Sequence, residues 1–446
     1  MLTGAEKECS DTVTIEKLTF GGSGIGRLNG KVCFIPFTAP GDRARIKITA
    51  EKKSYCEGTL QECLMPSSDR VTPPCAVYGE CGGCDWQHIR YSAQLEAKQQ
   101  IFSEMLSRVA GVEPDVVHPI LPAPNPYGYR SRVQFKLRSV AEALKFGFYR
   151  RGSHYVIDLP GTCRIARDEI NAIRKDLCRV LSDFPEPDKL PQIDAAAGEI
   201  TGLLLLFHYI GDRREETAEW LKKSLPGCTG ATGIFLQFGR KSSLLRVWGE
   251  DKVSYGAPAA AMEKCPDMEL FFRCGGFSQV NYDQNRQMIR TVLEWGGLQG
   301  NERVLDLYCG NGNFTLPLSG FCDEIVGLEE YGGSIEDAEY NVMINGVRNA
   351  RFTATGTERG LRELVDAGER FHLVLLDPPR TGAREAVHLI PALKPEKIIY
   401  VSCDPSTLAR DLSNLYGKGY RVAASRAIDM FPQTYHIESV TLLKRI

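Results

Sequence analysis

Three apolar runs in the last third of the chain each end on chemically loaded residues. They are "RVLDLYCGNGNF" (303–314), "LVLLDPPRTG" (373–382) and "KIIYVSCDPSTL" (397–408). Each run is short and rich in Val, Ile and Leu, which reads as a buried strand. Each then turns through Gly, Pro or Asp into a helical spacing. Strands that are apolar throughout belong to a parallel sheet covered on both faces by helices. Such open sheets collect their ligands outside the carboxyl ends of the strands. The residues that close the three runs are therefore the first candidates for function.

Two more segments complete this region. "DEIVGLEE" is another strand of the parallel set, and "YRVAASRAIDMF" and "ESVTLLKRI" are joined by the short loop "PQTYHI" as a hairpin that adds one antiparallel strand. Residues 271–446 thus read as an α/β Rossmann-like domain. Residues 1–66 carry short alternating runs, "TVTIEKLTF", "GKVCFIPF", "DRARIKITAEKKS" and "YCEGTLQEC", which suit a small five-stranded OB-like β-barrel. In that setting "GGSGIG" is a barrel turn, because it lacks the strand–turn–helix context of a dinucleotide loop. Between the two lies a central α+β segment, 67–270, entered by the Pro/Ser-rich linker "MPSSDRVTPPC". Its helical stretch 91–111 ends at a glycine and could pack on the C-terminal domain.

At 446 residues two or three domains are expected. The formal net charge of -2 means that any basic surface is local. No run reaches the 18 apolar residues of a membrane span. The first residues, "MLTGAEKECSDTV", lack an apolar signal core, so a cytoplasmic protein is expected. Fifteen cysteines in that compartment point to metal or catalytic roles for some and to packing for most.

In "CGNGNF", Gly310 and Gly312 allow close backbone approach to a ligand, and Glu329 ends the next strand where an acid suits ribose hydroxyls. The loop is not the G-x-G-x-x-G of nicotinamide or flavin enzymes, and fits S-adenosylmethionine better. In "LDPPR" the two prolines fix the backbone and present Asp377 to the pocket. The residue after them is Arg380, not a stacking ring, which argues against methylation of an amino group. Cys403 then gains a chemical reason. Carbon 5 of a pyrimidine becomes nucleophilic only after a thiolate attacks carbon 6, and loss of the carbon-5 proton then needs a base. "FPQTYHIES" supplies both Glu438 and His436, which strand alternation would put on one face. A separate C-x5-C-x2-C run, Cys75, Cys81 and Cys84, implies an iron-sulfur cluster or zinc. Cys163 is a fourth candidate 79 residues on, with Cys178 close by in sequence. It is not the C-x3-C-x2-C of radical S-adenosylmethionine enzymes.

Together "FSQVN", "DLYCGNGNF", "LDPPR", "YVSCDPSTLARDL" and "FPQTYHIE" resemble the RNA uracil-5-methyltransferases that carry a four-iron cluster, over nearly the whole chain. The resemblance implies a TRAM barrel, a cluster-bearing central domain and a methyltransferase domain. It implies Cys403 as nucleophile and Glu438 as base, and Cys75, Cys81, Cys84 and Cys163 as ligands of a [4Fe-4S] cluster. Gln279, Tyr308, Asn313, Glu329 and Asp377 would line the S-adenosylmethionine site, with Phe277 near the target uracil. Tyr308 stands where phenylalanine is commoner. The position that often holds an adenine partner is Gly356, so no contact is carried over there. The barrel favours 23S rRNA as substrate, since the transfer-RNA branch of the family usually lacks it. The T-loop of tRNA is the alternative within the class, and a non-catalytic RNA-binding iron-sulfur protein the alternative outside it. A monomer is expected.

RNA binding has a signal of its own. From Tyr127 to Arg151, seven basic residues (Arg130, Arg132, Lys136, Arg138, Lys145, Arg150, Arg151) face one acid, Glu142. Six aromatics interleave: Tyr127, Tyr129, Phe135, Phe146, Phe148 and Tyr149. That mixture suits looped or single-stranded RNA, or else a solvated strand face over an aromatic core.

Overall fold

The structure is a computed structural model that describes residues 11–446 except 141–142, 228, 240–242 and 260–267. The first five strands are β1 (Asp11–Leu18), β2 (Gly24–Leu28), β3 (Lys31–Ile35), β4 (Arg43–Glu51) and β5 (Tyr55–Met65). They close into a barrel in the order β1-β2-β3-β5-β4. Val13, Ile15, Cys33, Ile35, Ala44, Ile46 and Cys56 fill it, as the alternation requires. Closure leaves no open edge among these strands. Gly21 and Gly22 lie in the turn between β1 and β2 and Gly24 opens β2, so the segment is part of the barrel, not a nucleotide loop.

Helix α1 (Tyr91–Ala110) follows, stopped by Gly111 at φ 64°. It leads to β6 (Val117–Leu121). The central sheet is built from β7 (Arg132–Val140), β8 (Ala143–Tyr149), β9 (Val156–Asp158), β10 (Gln192–Ala197), β11 (Leu203–His208), β12 (Gly233–Gln237) and β13 (Leu244–Gly249). Its order is β13-β12-β11-β10-β7-β8-β9. Helices α2 (Asp168–Leu181) and α3 (Arg214–Ser224) belong to the same region. β14 (Lys252–Ala257) and β15 (Met268–Arg273) form a separate antiparallel pair across residue 270.

Beyond α4 (Tyr282–Gly296) comes the alternation of the α/β domain. Its elements are β16 (Arg303–Leu307), α5 (Thr315–Ser319), β17 (Glu324–Glu329), α6 (Gly332–Ile344), β18 (Ala350–Ala354), α7 (Thr357–Asp366), β19 (Leu373–Leu376), α8 (Ala386–Leu389), β20 (Lys397–Ser402), α9 (Pro405–Tyr416), β21 (Tyr420–Ile428) and β22 (Glu438–Arg445). The sheet runs β18-β17-β16-β19-β20-β22-β21-β6. β16 to β20 are parallel, and β22 is inserted antiparallel between β20 and β21. β6, from the central stretch of sequence, pairs parallel with β21 and forms the edge of this sheet, and α1 packs beside α9. The α/β domain therefore recruits residues 91–121 from outside the 271–446 segment. Its inner strands are buried on both faces, so Leu305, Leu307, Leu375, Ile399 and Val401 have no access to water.

Candidate active site

Cys403 lies between two fixed structures. β20 ends one residue before it, and Asp404 caps α9 one residue after it, its carboxylate accepting from the Ser406 N–H at 2.8 Å and the Thr407 N–H at 3.2 Å. Pro405 opens the helix without a wasted donor. The Cys403 sulfur is thereby held at the mouth of the sheet. Ser402 pairs with Ser439, so the next residues of this antiparallel register, Cys403 and Glu438, stand opposite one another. Glu438 is 3% exposed.

Electrostatics reflect that burial. The Cys403 thiol is pushed up to about 12, by desolvation first and then by Glu438 and Asp377, against the pull of Arg380. The Glu438 carboxyl rises well above the usual carboxylate range for the same reasons: burial first, then Asp377, opposed by Arg380. Asp377, just beyond β19, is raised to about 7 by burial. Burial thus favours the uncharged forms of the thiol and the carboxyls, and the Arg380 guanidinium opposes it at Cys403 and Glu438. His436 is not on a strand, because β22 begins only at Glu438. Strand alternation therefore does not relate the two. The ring of His436 packs on Tyr435 at 4.3 Å and is kept neutral, lowered to about 4 by burial and then by Arg380, Lys98 and Arg130.

Two strands away in the same sheet, beyond β19, is the glycine-rich turn after β16. Tyr308 takes φ 63°, Gly310 φ 56° and Gly312 φ 88°. A Cβ on Gly312 would lie 2.2 Å from Leu316, while one on Gly310 would meet nothing within 4 Å. Gly312 is required by packing; Gly310 faces open space. Glu329 stitches the turn to β17: its carboxylate accepts from the Gly310 N–H at 3.2 Å and the Tyr331 N–H at 2.8 Å. Tyr308 is half-buried, next to Thr357 and Glu358 at the start of α7, whose cap is Gly356. Asn313 is held in a reciprocal amide pair with Asn285, 2.8 and 2.9 Å, and also accepts from the Tyr255 hydroxyl at 3.0 Å. That leaves it little free hydrogen-bonding capacity, which favours a bracing function for it. Gln279 is 8% exposed, beside Ser278, whose buried hydroxyl has no partner; Phe277, next in line, is 65% exposed.

Sequence reasoning missed Asp306. It sits inside β16, 1% exposed, with one oxygen bonded to Thr315 at 2.5 Å and the other unpartnered. Burial, with Thr315 opposing and Asp377 and Glu329 adding, raises it to about 7. The signal was available: a lone acid in the middle of an apolar strand, "RVLDL".

Cys75, Cys81, Cys84 and Cys163 line one cleft of about 800 Å³ together with Arg130, Arg132, Lys136, Tyr435 and His436. The Cys81 thiol is raised to about 11 and the Cys84 and Cys163 thiols are also raised, chiefly by burial, with the neighbouring thiols adding to each. Cys178 lies on α2, against the central core, and does not line the cleft. Among the described residues no group of three or more His, Cys, Asp or Glu side chains is placed to hold a metal ion.

Much of the basic stretch at 127–151 has structural partners. Arg151 binds Asp85 at 2.6 Å and the Cys84 carbonyl at 3.0 Å, Arg132 binds the Gly276 carbonyl at 2.6 Å, and Arg150 pairs with Glu80 at 3.1 Å. Lys136 bonds Gln192 and lies over the Tyr149 ring. Phe135 and Phe146 are core, and buried Tyr129 donates to the Pro432 carbonyl at 3.0 Å. The aromatic-core reading holds for these three rings. Tyr127, Phe148 and Tyr149 remain partly accessible.

Comparison with known proteins completes the description. Residues 12–60 match the TRAM domain and residues 90–446 match the tRNA (Uracil-5-)-methyltransferase family. The chain is 34% identical to the 23S rRNA (uracil(1939)-C(5))-methyltransferase RlmD of Vibrio cholerae, covering 96% of this chain and 94% of that one. It is also 34% identical to an uncharacterized RNA methyltransferase of Thermosynechococcus vestitus, covering 96% of each. The crystal structure of the Pyrococcus abyssi tRNA (uracil-54, C5)-methyltransferase in complex with S-adenosyl-L-homocysteine superposes with a TM-score of 0.72 at 25% identity, over 97% of this chain and 100% of that one. Fold and strand-end site together define an S-adenosylmethionine-dependent methyltransferase preceded by a TRAM barrel. The chain belongs to the tRNA (Uracil-5-)-methyltransferase family.

Proposed function

We propose that this chain methylates carbon 5 of a uridine in 23S rRNA. The observation that carries the reading is Cys403 opposite Glu438 at the ends of adjacent strands, in the same sheet as the strand that leads into the glycine turn. In this reading the Cys403 thiol gives its proton to solvent, the thiolate attacks carbon 6 of the uracil, and the 5,6 π pair moves onto carbon 5 and oxygen 4 as an enolate. Carbon 5 takes the methyl group from the sulfonium of the donor, which leaves as S-adenosylhomocysteine. Glu438 removes the carbon-5 proton, the electrons form the 5,6 double bond, and the sulfur departs. A desolvated carboxylate is a stronger base than a solvated one, which suits this step. His436, neutral and stacked, has less to offer as the base. Glu329, Asp377, Tyr308 and Gln279 would hold the donor, with Asn313 bracing the turn. Phe277, exposed beside Gln279, would meet the flipped uracil.

The four cleft cysteines fit a [4Fe-4S] cluster. Such a cluster takes one thiolate per iron, so its ligands surround a volume instead of converging on a point, which tells against a single zinc. The cluster would supply cationic charge beside the Cys81, Cys84 and Cys163 thiols, which burial pushes up, and would tie residues 75–84 to Cys163. The barrel and the central segment would present the RNA, with the basic cleft holding phosphates.

Substrate choice is tested with 23S rRNA fragments and tRNA transcripts as competing methyl acceptors, with mass mapping of the product. The 34% identity to RlmD supports the ribosomal RNA. Methylation of the tRNA T-loop alone would move the reading to the alternative within the class.

A further inference from the structure

The segment 429–437 joins β21 to β22 and delivers Glu438. It is fastened from every side. The Lys98 ammonium, fully buried on α1, donates to Asp429 at 2.6 Å and to the Phe431 carbonyl at 3.0 Å. Tyr91 donates to the other Asp429 oxygen at 2.7 Å. Gln433 takes φ 70°, a conformation an ordinary side chain enters only when held there. Its holder is Gln94 of α1. The Gln94 side-chain oxygen accepts from the Gln433 backbone N–H at 3.0 Å, and the Gln94 side-chain amide nitrogen donates to the Gln433 side-chain oxygen at 3.0 Å. The same amide reaches the carbonyls of Trp86 at 3.1 Å and Ile89 at 2.8 Å. The Gln433 carbonyl in turn accepts from Asp85 and Trp86 at 2.9 and 3.0 Å, directly after Cys84. Gln94 is fully buried.

We propose that Gln94 is a positioning residue for the methylation reaction: its clamp on Gln433 fixes the approach to β22, and with it the orientation of Glu438, while holding the cysteine-bearing loop to the same point. This rests on the reading of Glu438 as the base. Neither attack by Cys403 nor methyl transfer requires Glu438, so loss of the clamp acts on elimination alone.

The test is Gln94→Met, which keeps volume and removes all four bonds. Four quantities are read: donor binding, the rate of adduct formation with 5-fluorouridine RNA, turnover on ordinary RNA, and the fraction of enzyme trapped as a methyl-labelled adduct. The first two should stay within about twofold of wild type. Turnover should fall roughly 10- to 100-fold, the size of effect that a small misplacement of a catalytic group produces, and labelled adduct should accumulate. A uniform fall in all of these, or no fall in turnover, overturns the proposal. If Gln94→Met does not fold, Gln433→Asn removes the side-chain half of the clamp in a residue type that tolerates positive φ, and must show the same split. Glu438→Gln is run alongside. If it accumulates no adduct, the assignment of the base has failed, whatever the Gln94 variant does.

Discussion

The strand-end wall, around Cys403, and the cysteine wall, which lines a cleft that Cys403, Asp377 and Glu438 do not line, bury the same kind of group in opposite ways. At the strand ends Cys403, Asp377, Glu438 and Asp306 are delivered by backbone, each where a buried strand stops or, for Asp306, inside one. At the other wall Cys75, Cys81, Cys84 and Cys163 sit on turns held by side chains: Asn171 binds the Cys163 N–H at 2.8 Å and its carbonyl at 3.1 Å, and Arg151 binds the Cys84 carbonyl. The acids and thiol of the first wall, and Cys81, Cys84 and Cys163 of the second, are raised by desolvation. In the proposed reading both would meet positive charge: the sulfonium donor at one wall and the cluster's iron at the other. The difference lies in what places them: sheet backbone at the first wall, side-chain contacts at the second.

The largest effect tests the first wall. Cys403→Ala should bring methylation to background while donor binding persists, because the Gly310–Glu329 turn does not involve the sulfur. RNA carrying 5-fluorouridine should trap the wild type as a denaturant-stable adduct and leave the variant free. An adduct on Cys403→Ala would mean that a thiol of the other wall had reached the base, and the contrast between the walls would break. Next in size, Glu438→Gln should slow turnover by roughly 10²–10⁴-fold, the usual contribution of a positioned base, and accumulate methyl-labelled adduct. Accumulation in His436→Ala instead would transfer the role of base.

The first wall was legible in the sequence because short-range rules create it. An apolar run, a glycine or proline turn and a helix start locate Cys403, Asp377 and Glu329 without knowledge of the tertiary fold. The second wall was only half legible. The spacing of Cys75, Cys81 and Cys84 is local, but Cys163 and Cys178 are told apart only by the tertiary fold: both pack against the central core, and Cys163 alone of the two also lines the cleft. β6 escaped for a related reason. It is short and contains Pro119, which an edge strand accepts and an inner strand does not, and only its pairing with β21 makes it a strand. His436 was placed on a strand by alternation, whereas the loop continues to Ile437. Asp306 was passed over because a single acid in an apolar run carries no spacing pattern.

A third experiment probes what joins the walls. Lys98→Met leaves Asp429 buried without its counter-charge, and losing one partner of a buried pair costs about 3–5 kcal/mol of stability. Lys98→Met combined with Asp429→Asn should cost less, since no bare charge remains. Denaturant midpoints measure both. Equal costs would show that the pair only fills space and that the walls are not tied through it.

The smallest effect is a pH dependence, and it sharpens the account of the strand-end wall as a site awaiting a cation. Asp377 and Asp306 are each raised from 3.8 to about 7 in the folded protein. A carboxyl with a raised folded value binds more protons folded than unfolded between about pH 4 and 7. Stability without the donor is therefore greatest at the acid end of that window and falls as pH rises through it. Donor affinity has the opposite slope. A cationic ligand favours the carboxylate, so below pH 7 its binding must expel a proton, and affinity should rise with pH and level off near pH 8. One proton sets a limit of about tenfold per pH unit, so binding at pH 6 should be roughly tenfold weaker than on the plateau. Calorimetric titration of donor into protein across pH 5–8 measures this, and the proton release itself appears as a dependence of the heat on the buffer. Asp377→Asn should flatten the profile. If the slope survives there and vanishes in Asp306→Asn, the carboxyl inside β16 is the one that meets the donor's charge. A flat wild-type profile would mean that these acids are ionised before the donor arrives, and the strand-end wall would then be an anionic site from the start.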